Sequence, residues 1–245
     1  MSEVHVYGVV PASAKLEIAE ASVRLIVHRD VAALVSDVER DGLGAVRVLR
    51  AHWRVLEQAV STTTVIPVRF GTVMADERAL VEEFLEPSHD ELAAALAEMA
   101  GKVQLTVKGF YEEEALMAGI VARSPAIARL RERVRGLPEA AAYYQRIELG
   151  QLVATEVERS RERDAQEIFE RLRPLALAAR LEASTSDAAV NAAFLVEDGR
   201  IDDFSRAVSA LGRELAGRIR LRYVGPIPPY SFTGEHAMSG TGAWA

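Results

Sequence analysis

The last predicted strand of the chain, Ile219 to Val224, runs straight into the sequence Gly225-Pro226-Ile227-Pro228-Pro229-Tyr230-Ser231-Phe232. Proline fixes φ and lacks an N–H donor. This segment, which we call the strap (residues 225–232), is therefore predicted to be extended and close to polyproline II rather than helical or a central strand. Tyr230 and Phe232 stand at the end of this rigid segment. Two interpretations stay open: the strap packs on the protein's own core, or its two aromatic residues contact a partner.

The segments before the strap alternate between strand and helix patterns. Residues 190–196 are a short, nearly continuous apolar run followed by Asp198-Gly199, which predicts a buried central strand and a turn. The helix that follows has a predicted inner face at Phe204, Val208, Leu211 and Leu215. Residues 102–110 alternate between apolar and polar and predict a further strand. This order predicts an α+β fold with helices on one face of a mainly antiparallel sheet.

Helical patterns occupy most of residues 111–181, with breaks at prolines. The longest helix is predicted over residues 139–173. Its ends are apolar, but residues 156–167 are almost wholly charged. The middle of this helix is therefore predicted to project into solvent as an arm or to meet only another helix.

The first 74 residues predict short strands around one helix. The strands are predicted at Val4 to Val10, Val23 to Val27, Val31 to Val35 and Val65 to Val73, with the second and third forming a hairpin. A helix of about 17 residues is predicted after Gly44. Its predicted inner face consists of Val46, Leu49, Trp53, Leu56 and Val60.

Two further helices, split by Pro87, are predicted between residues 76 and 101. The first is predicted to bury Leu80, Phe84 and Leu85. The second is predicted to begin with a capping box formed by Ser88 and Glu91 and to stop at Gly101.

The length of 245 residues, with 49% apolar residues, is enough for two hydrophobic cores. We predict an N-terminal α+β domain at residues 1–100 and a second α+β domain at residues 101–232, which carries the helical arm and the strap. Residues 233–245 are rich in glycine and small polar residues and predict a flexible tail.

The composition excludes several classes of function. The net charge is −7 with both signs mixed along the chain, whereas a nucleic-acid surface needs a basic face, so no nucleic-acid partner is predicted. The chain has no cysteine, which excludes disulfides and thiolate metal sites and fits a reducing cytosol. No apolar run approaches the ~18 residues of a membrane span, and the N-terminus lacks a signal-peptide pattern. We therefore expect a cytoplasmic protein with no membrane partner.

The sequence predicts no catalytic, cofactor-binding or metal-binding residues. The five histidines lack metal-ligand spacing, and each is interpreted as an ordinary surface or boundary residue. Phosphate-loop, dinucleotide-binding and nucleophile-elbow motifs are absent. The carboxylates of residues 112–114 fit the start of a helix better than a general-base cluster. Arg218, Arg220 and Arg222 share a strand face, which either binds an acidic partner or, as we favour, is solvated and paired with nearby glutamates.

Arg69 is flanked by apolar residues in a strand-like segment, so its guanidinium is predicted to be half-buried. A half-buried cation needs a carboxylate partner. We name Glu148 as that partner and predict a pair that locks the two domains and does not catalyse. Phe70 and the strap's Tyr230 and Phe232 complete the residues predicted to lie at a domain or partner interface.

Six segments of the chain occur in the order and with the spacing of the motifs of one family. They are Tyr7-Gly8-Val9, residues 66–73, Gly101-Lys102-Val103, Tyr144 to Gly150, Asn191 to Val196, and the Gly-Pro-x-Pro-Pro-Tyr-Ser-Phe ending. Together they resemble the gas vesicle protein F/L (GvpF/GvpL) family over residues 4–232. The family usually has tryptophan in the final motif where this chain has Ile227.

The resemblance implies two α+β domains, the second a modified ferredoxin-like sandwich with a long helical insertion. It implies a non-enzymatic accessory protein of gas vesicle formation, a minor vesicle component without a cofactor. Such a protein binds the main hydrophobic shell protein, limits its aggregation during nucleation and assembly, and has other accessory proteins as further partners. Two alternatives stay open: a small-ligand-binding or enzymatic α+β protein, and a permanent structural component of the vesicle wall.

Overall fold

A computed structural model describes residues 2–16, 18–19, 22–38, 45–138, 141–184 and 188–233. The predicted tail of residues 233–245 lies outside the described residues, except for Thr233. Contacts divide the chain into two compact units. The first is Met1–Leu105 with Phe194–Ile201 and Val224–Ala245, and the second is Thr106–Ala193 with Asp202–Tyr223. The domain boundaries drawn from the sequence, 1–100 and 101–232, stay a prediction.

The elements of the described residues mix helices with strands, which confirms the predicted α+β class. The strands are β1 (Val4–Pro11), β2 (Arg24–His28), β3 (Val31–Asp37), β4 (Ile66–Pro67), β5 (Val73–Met74), β6 (Lys102–Tyr111), β7 (Ala178–Leu181), β8 (Ala188–Glu197) and β9 (Ile219–Ile227). The α-helices are α1 (Ala45–Val60), α2 (Glu77–Ala79), α3 (His89–Met99), α4 (Glu113–Arg123), α5 (Pro125–Arg135), α6 (Tyr143–Leu172) and α7 (Ile201–Glu214). A π-helical segment, Leu80–Leu85, continues α2, and 3₁₀ turns occur at Arg173–Leu175 and Asp198–Arg200.

The first sheet has the strand order β2-β3-β1-β4, and β5 also pairs with β1. The predicted hairpin of β2 and β3 is confirmed, with His28 opposite Val31. The prediction of one strand over residues 65–73 is wrong. A turn at Gly71, whose φ of 88° suits glycine, separates β4 from β5, and both short strands pair with β1.

The strand β1 is buried on both faces because it lies between two helical layers. Its register against β3 shifts between Val6 and Gly8, and this bulge keeps Val6 and Val9 on the same face. That face packs against the π-helical segment and α3, where the predicted burial of Leu80, Phe84 and Leu85 is confirmed. The opposite face of β1 packs against α1, where His5 and Tyr7 contact His52.

The helix α1 buries a different face from the predicted one. Leu56 and Val60 are buried as expected, but Val46, Leu49 and Trp53 are exposed. The centre of the buried face is taken by His52, Val55, Leu56 and Ala59, which have the i, i+3, i+4, i+7 spacing of a helix face. The apolar residues of α1 therefore cover more of the helix surface than the protein buries.

The start of α3 is not a capping box. Ser88 is the N-cap residue, but its side chain makes no capping hydrogen bond. Its φ of −101° and ψ of 7° differ from the extended backbone that lets an N-cap side chain reach back to the helix. Asp76, whose backbone is extended, caps α2 by accepting a hydrogen bond from the Ala79 N–H at 2.8 Å. Gly101, with a φ of 67°, follows α3 as predicted.

The second sheet has the strand order β7-β8-β6-β9, which confirms the predicted central strand at residues 190–196. The strap's first three residues belong to β9, an edge strand, and an edge strand tolerates proline. A Cβ at Gly225, where φ is 136°, would lie 2.8 Å from the Gln104 carbonyl oxygen, so the two strands approach too closely for another residue. The peptide bond between Gly225 and Pro226 is cis.

The charged middle of α6 does not project into solvent as an arm. Ser160 and Asp164 are buried within it. Asp164 accepts hydrogen bonds from the Tyr111 hydroxyl and the Arg218 guanidinium, each at 2.8 Å, and Ser160 accepts one from Arg123 at 3.0 Å. Polar side chains at four-residue spacing can form a buried face when partners on other elements satisfy them.

The helix α7 buries its predicted face, since Phe204, Val208 and Leu211 are enclosed and Leu215 follows them. The ferredoxin-like description of the second domain stays a prediction. Among the described residues, no helix is both long enough and apolar enough to cross a membrane.

Candidate functional site

Two of the residues predicted to lie at an interface, Phe70 and Tyr230, meet at His52. The Phe70 ring lies in the turn between β4 and β5, with its centroid 5.2 Å from that of His52 in an edge-to-face arrangement. The Tyr230 hydroxyl lies 3.4 Å from the Nε2 atom of His52. The Tyr230 ring also contacts Trp53, at 5.4 Å between centroids. Residues from α1, the β4–β5 turn and the strap therefore form one aromatic cluster.

The strap turns at its end and is not extended throughout. The Tyr230 N–H donates to the Pro228 carbonyl at 2.8 Å, and the Phe232 N–H donates to the Pro229 carbonyl at 2.9 Å. The Ser231 N–H donates to the side-chain oxygen of the buried Gln104, also at 2.9 Å. This turn gives the two aromatic residues different environments.

Phe232 packs against the hydrophobic core of the first sheet, whereas Tyr230 is half-buried beside His52 and Trp53. The first interpretation, packing on the protein's own core, holds for Phe232. A partner contact by Tyr230 stays a prediction. Phe232 anchors the strap on the protein's own core, and Tyr230 stands at the edge of the exposed apolar residues of α1.

Arg69 and Glu148 are both exposed, so Arg69 is not half-buried as expected. An exposed guanidinium remains hydrated and does not require a carboxylate to offset desolvation. The turn after Arg69 explains its exposure, because the Thr72 N–H and hydroxyl both donate to the Arg69 carbonyl, at 3.2 and 2.8 Å. The pairing of Arg69 with Glu148 stays a prediction.

The sequence interpretation missed a buried pair of histidines. His5 in β1 and His52 in α1 are not surface residues, since His52 is 1% exposed and His5 is 9% exposed. The Nε2 atom of His5 lies 3.0 Å from the Nδ1 atom of His52. The Tyr7 ring stacks on His52 with 5.2 Å between centroids, and the Tyr7 hydroxyl lies 2.9 Å from the Ser36 hydroxyl.

The surroundings of the two imidazoles keep them neutral. Burial lowers the pKa of His5, and burial together with the charge of a protonated His5 lowers the pKa of His52 to about 4. In a hydrogen bond between two neutral imidazoles, one nitrogen donates and the other accepts. A polar chain therefore runs from His5 through His52 to the Tyr230 hydroxyl, whose pKa is raised by burial.

The outer edge of this cluster is an exposed apolar surface. We call it the α1 surface and define it by the exposed residues Val46, Leu49, Trp53 and Phe70, with the half-buried Tyr230 at its border. Trp53 is 41% exposed and Phe70 is 39% exposed, while the Trp53 ring contacts Tyr230 and the Phe70 ring contacts the buried His52. Large aromatic side chains that are held in place but remain accessible are typical of residues that anchor a protein partner.

Within the described residues, no group of three or more His, Cys, Asp or Glu side chains could hold a metal ion.

The signal for the burial of His52 was present in the sequence, because residues 52, 55, 56 and 59 have helical spacing. His5 gave no such signal, because a strand buried on both faces shows no alternation.

Comparisons with known proteins agree on one family. The sequence model described as "Gas vesicle synthesis protein GvpL/GvpF" matches residues 3–234. Gas vesicle protein F of Streptomyces sp. (strain CB03234) is 33% identical over 210 residues, which cover 86% of this chain and 87% of the relative. Gas vesicle protein L of the same strain is 30% identical over 192 residues, which cover 76% of this chain and 68% of the relative. The crystal structure of GvpF from Anabaena sp. PCC7120 is 26% identical, with a TM-score of 0.78 and coverage of 96% of this chain and 99% of the other.

Proposed function

Because the chain belongs to the GvpL/GvpF family of gas vesicle synthesis proteins, we propose that it is a non-enzymatic accessory protein that binds the main hydrophobic shell protein during vesicle formation. Bound in this way, it limits aggregation of the shell protein before assembly. The proposal places the protein in the cytoplasm, in association with the gas vesicle, with other accessory proteins as further partners.

The observation that carries the proposal is the α1 surface. A protein that limits aggregation has to cover apolar groups of its client, and it needs accessible apolar groups of its own for this. Val46, Leu49 and Trp53 follow one another at i, i+3 and i+7 on α1 and leave an apolar face exposed. Phe70 extends that face beyond the helix, and the half-buried Tyr230 borders it.

The buried cluster beneath the α1 surface holds its aromatic residues in position. Phe70 packs edge-on against both His5 and His52, and Tyr230 is tied to the strap turn. Side chains that are ordered before binding lose less conformational entropy when the partner docks. The His5–His52 pair therefore supports the α1 surface from the interior, and the client contacts the aromatic residues of that surface.

Co-expression with the shell protein tests the proposal. We expect the wild-type chain to raise the soluble fraction of the shell protein and to co-purify with it. The double variant Trp53→Ser/Phe70→Ser, checked for folding by circular dichroism, should lose both effects. Tyr144→Ala is the matched control, because Tyr144 is an exposed aromatic residue on α6, in the other unit.

Three outcomes count against parts of the proposal. If the wild-type chain neither solubilises nor co-purifies with the shell protein, the client-binding role fails. If Tyr144→Ala loses the effects and the double variant retains them, the α1 surface is the wrong site. If washed vesicles retain the protein in a fixed ratio to the shell protein and free shell protein is not bound, it is a permanent structural component of the wall.

A further inference from the structure

An apolar groove lies between α4, α5 and α6 in the second unit. Its volume is about 470 Å³. Each helix contributes side chains that are three or four residues apart, the spacing at which a helix presents one face. The apolar lining consists of Met117, Ala118 and Val121 from α4, Ile127 from α5, and Leu149 and Val153 from α6.

The face of α4 that lines the groove is open to solvent. Met117 is 37% exposed, and Ala118 is also exposed. On α4, only Ile120 is fully buried, so the helix is fixed to the unit by its other side. A helix face with i, i+3, i+4, i+7 spacing that is left uncovered offers a seat for another helix.

The charge beside the groove is opposite in sign to that of the whole protein. The net charge of the chain is −7, yet α5 carries four arginines and one glutamate, all exposed. Arg131 lines the groove, and Arg135 follows one turn later, 3.7 Å from Glu132. Glu114 lines the α4 side of the groove, so the lining holds one basic and one acidic side chain, and the excess of positive charge lies along α5.

We propose that this groove binds an amphipathic helix of another protein whose apolar face is flanked by acidic side chains. The apolar face fills the space between the three helices, and the acidic flank lies against the arginines of α5. Complementary charge selects the partner and sets its orientation, while burial of the apolar face supplies most of the affinity. The groove lies in the second unit and the α1 surface in the first, so this proposal is independent of the shell-protein proposal.

Two synthetic peptides test the charge requirement. Each has about 18 residues, enough for a marginally stable helix, with leucine at the i, i+3, i+4, i+7 positions. One has glutamate on both flanks of the leucine face, and the other has lysine there. Fluorescence anisotropy with the full chain at low ionic strength should give about tenfold tighter binding of the glutamate-flanked peptide.

Variants of the full chain locate the binding. Ala118→Glu places a charged side chain in the groove and should abolish binding, whereas Ala122→Glu, at another exposed position of α4 outside the lining, should not. Arg131→Glu should reduce the preference for the glutamate-flanked peptide or reverse it. Glu114→Gln should strengthen binding of that peptide about twofold to fivefold by removing like-charge repulsion.

Several results would overturn the proposal. Equal affinity for the two peptides would remove the charge argument, and unchanged binding by Ala118→Glu, with its helical circular dichroism intact, would place the peptide elsewhere. A homodimer that dissociates on Ala118→Glu in sedimentation equilibrium would show that a second copy of the chain occupies the groove. None of these results bears on shell-protein binding by the α1 surface.

Discussion

The Nδ1 atom of His52 lies 3.0 Å from the Nε2 atom of His5, and this contact joins α1 to β1 in the interior of the first unit. The two residues are 47 positions apart in the chain. Because both rings are buried, a proton added to either one would place a charge in an apolar environment. The pair therefore couples the stability of the first unit to pH.

We predict that the protein loses stability as the pH falls from about 6.5 towards 4. The pKa of His52 is lowered to about 4 in the folded protein, so below the ordinary value of 6.5 the unfolded chain binds protons that the folded chain does not. The full shift corresponds to about 3 kcal/mol, and solvent screening should reduce the measured loss to about 1 to 2 kcal/mol. Urea unfolding at pH 7.5, 6.0 and 5.0 measures it.

The control for this prediction is His52→Asn, which keeps a hydrogen-bonding side chain but does not titrate. Its free energy of unfolding should depend less on pH in this range than that of the wild type. His89 opposes the effect, because hydrogen bonds to Asp90 and Asp30 raise its pKa. Its stabilisation is present at low pH and is lost as the pH rises through its folded pKa. Equal pH dependence of the wild type and His52→Asn would contradict the role of the pair.

A second prediction separates the two aromatic residues of the strap. Phe232→Ala should lower the free energy of unfolding by about 2 to 3 kcal/mol, because Phe232 packs against the core of the first sheet. Tyr230→Phe should cost no more than about 1 kcal/mol, since it removes only the 3.4 Å contact with His52. Phe232→Leu, which keeps an apolar side chain, should cost less than Phe232→Ala. If Tyr230→Phe lowered the free energy of unfolding as much as Phe232→Ala, Phe232 would not be the anchor.

The sequence predicted elements whose signal is local and periodic. The apolar residues on the inner face of α7, from Phe204 to Leu215, recur every three or four residues. The short, nearly continuous apolar run of β8 is typical of a buried central strand, which is its place in the sheet. The hairpin of β2 and β3 follows from two apolar runs separated by a short polar turn. In each case, neighbouring residues carry all the information.

The sequence did not predict features that depend on which elements meet. Leu49 and Trp53 have the spacing of a core face, and spacing alone cannot distinguish an apolar residue that is buried from one that stays exposed. The burial of Asp164 could not be predicted for a different reason. Its partners Tyr111 and Arg218 come from distant segments, so the surrounding charged run resembled a solvated helix.

A third prediction concerns two glycines in different environments. Gly225→Ala should destabilise the protein by about 2 kcal/mol or more, because the new Cβ would lie 2.8 Å from the Gln104 carbonyl oxygen and the φ of 136° disfavours any other residue. Gly150→Ala on α6 should stabilise it by about 0.5 to 1 kcal/mol, since no atom lies within 4 Å of the new Cβ and alanine favours the helix. The midpoint temperatures of thermal unfolding of the two variants should therefore shift in opposite directions from that of the wild type. A neutral Gly225→Ala would show that β6 and β9 can move apart at this point.

The fourth prediction compares two carboxylates of α6 near the same arginine. Asp164 is 2% exposed and accepts hydrogen bonds from Tyr111 and Arg218, so Asp164→Ala should cost about 3 to 4 kcal/mol by leaving both donors unsatisfied. Glu167→Ala should cost less than about 0.5 kcal/mol, because Glu167 is half-exposed and 4.0 Å from Arg218. Tyr111→Phe should lie between them at about 1 kcal/mol, since it removes one hydrogen bond to Asp164. Urea unfolding of the three variants gives this ranking, and a cost of Glu167→Ala equal to that of Asp164→Ala would mean that charge alone, without burial, stabilises the contact.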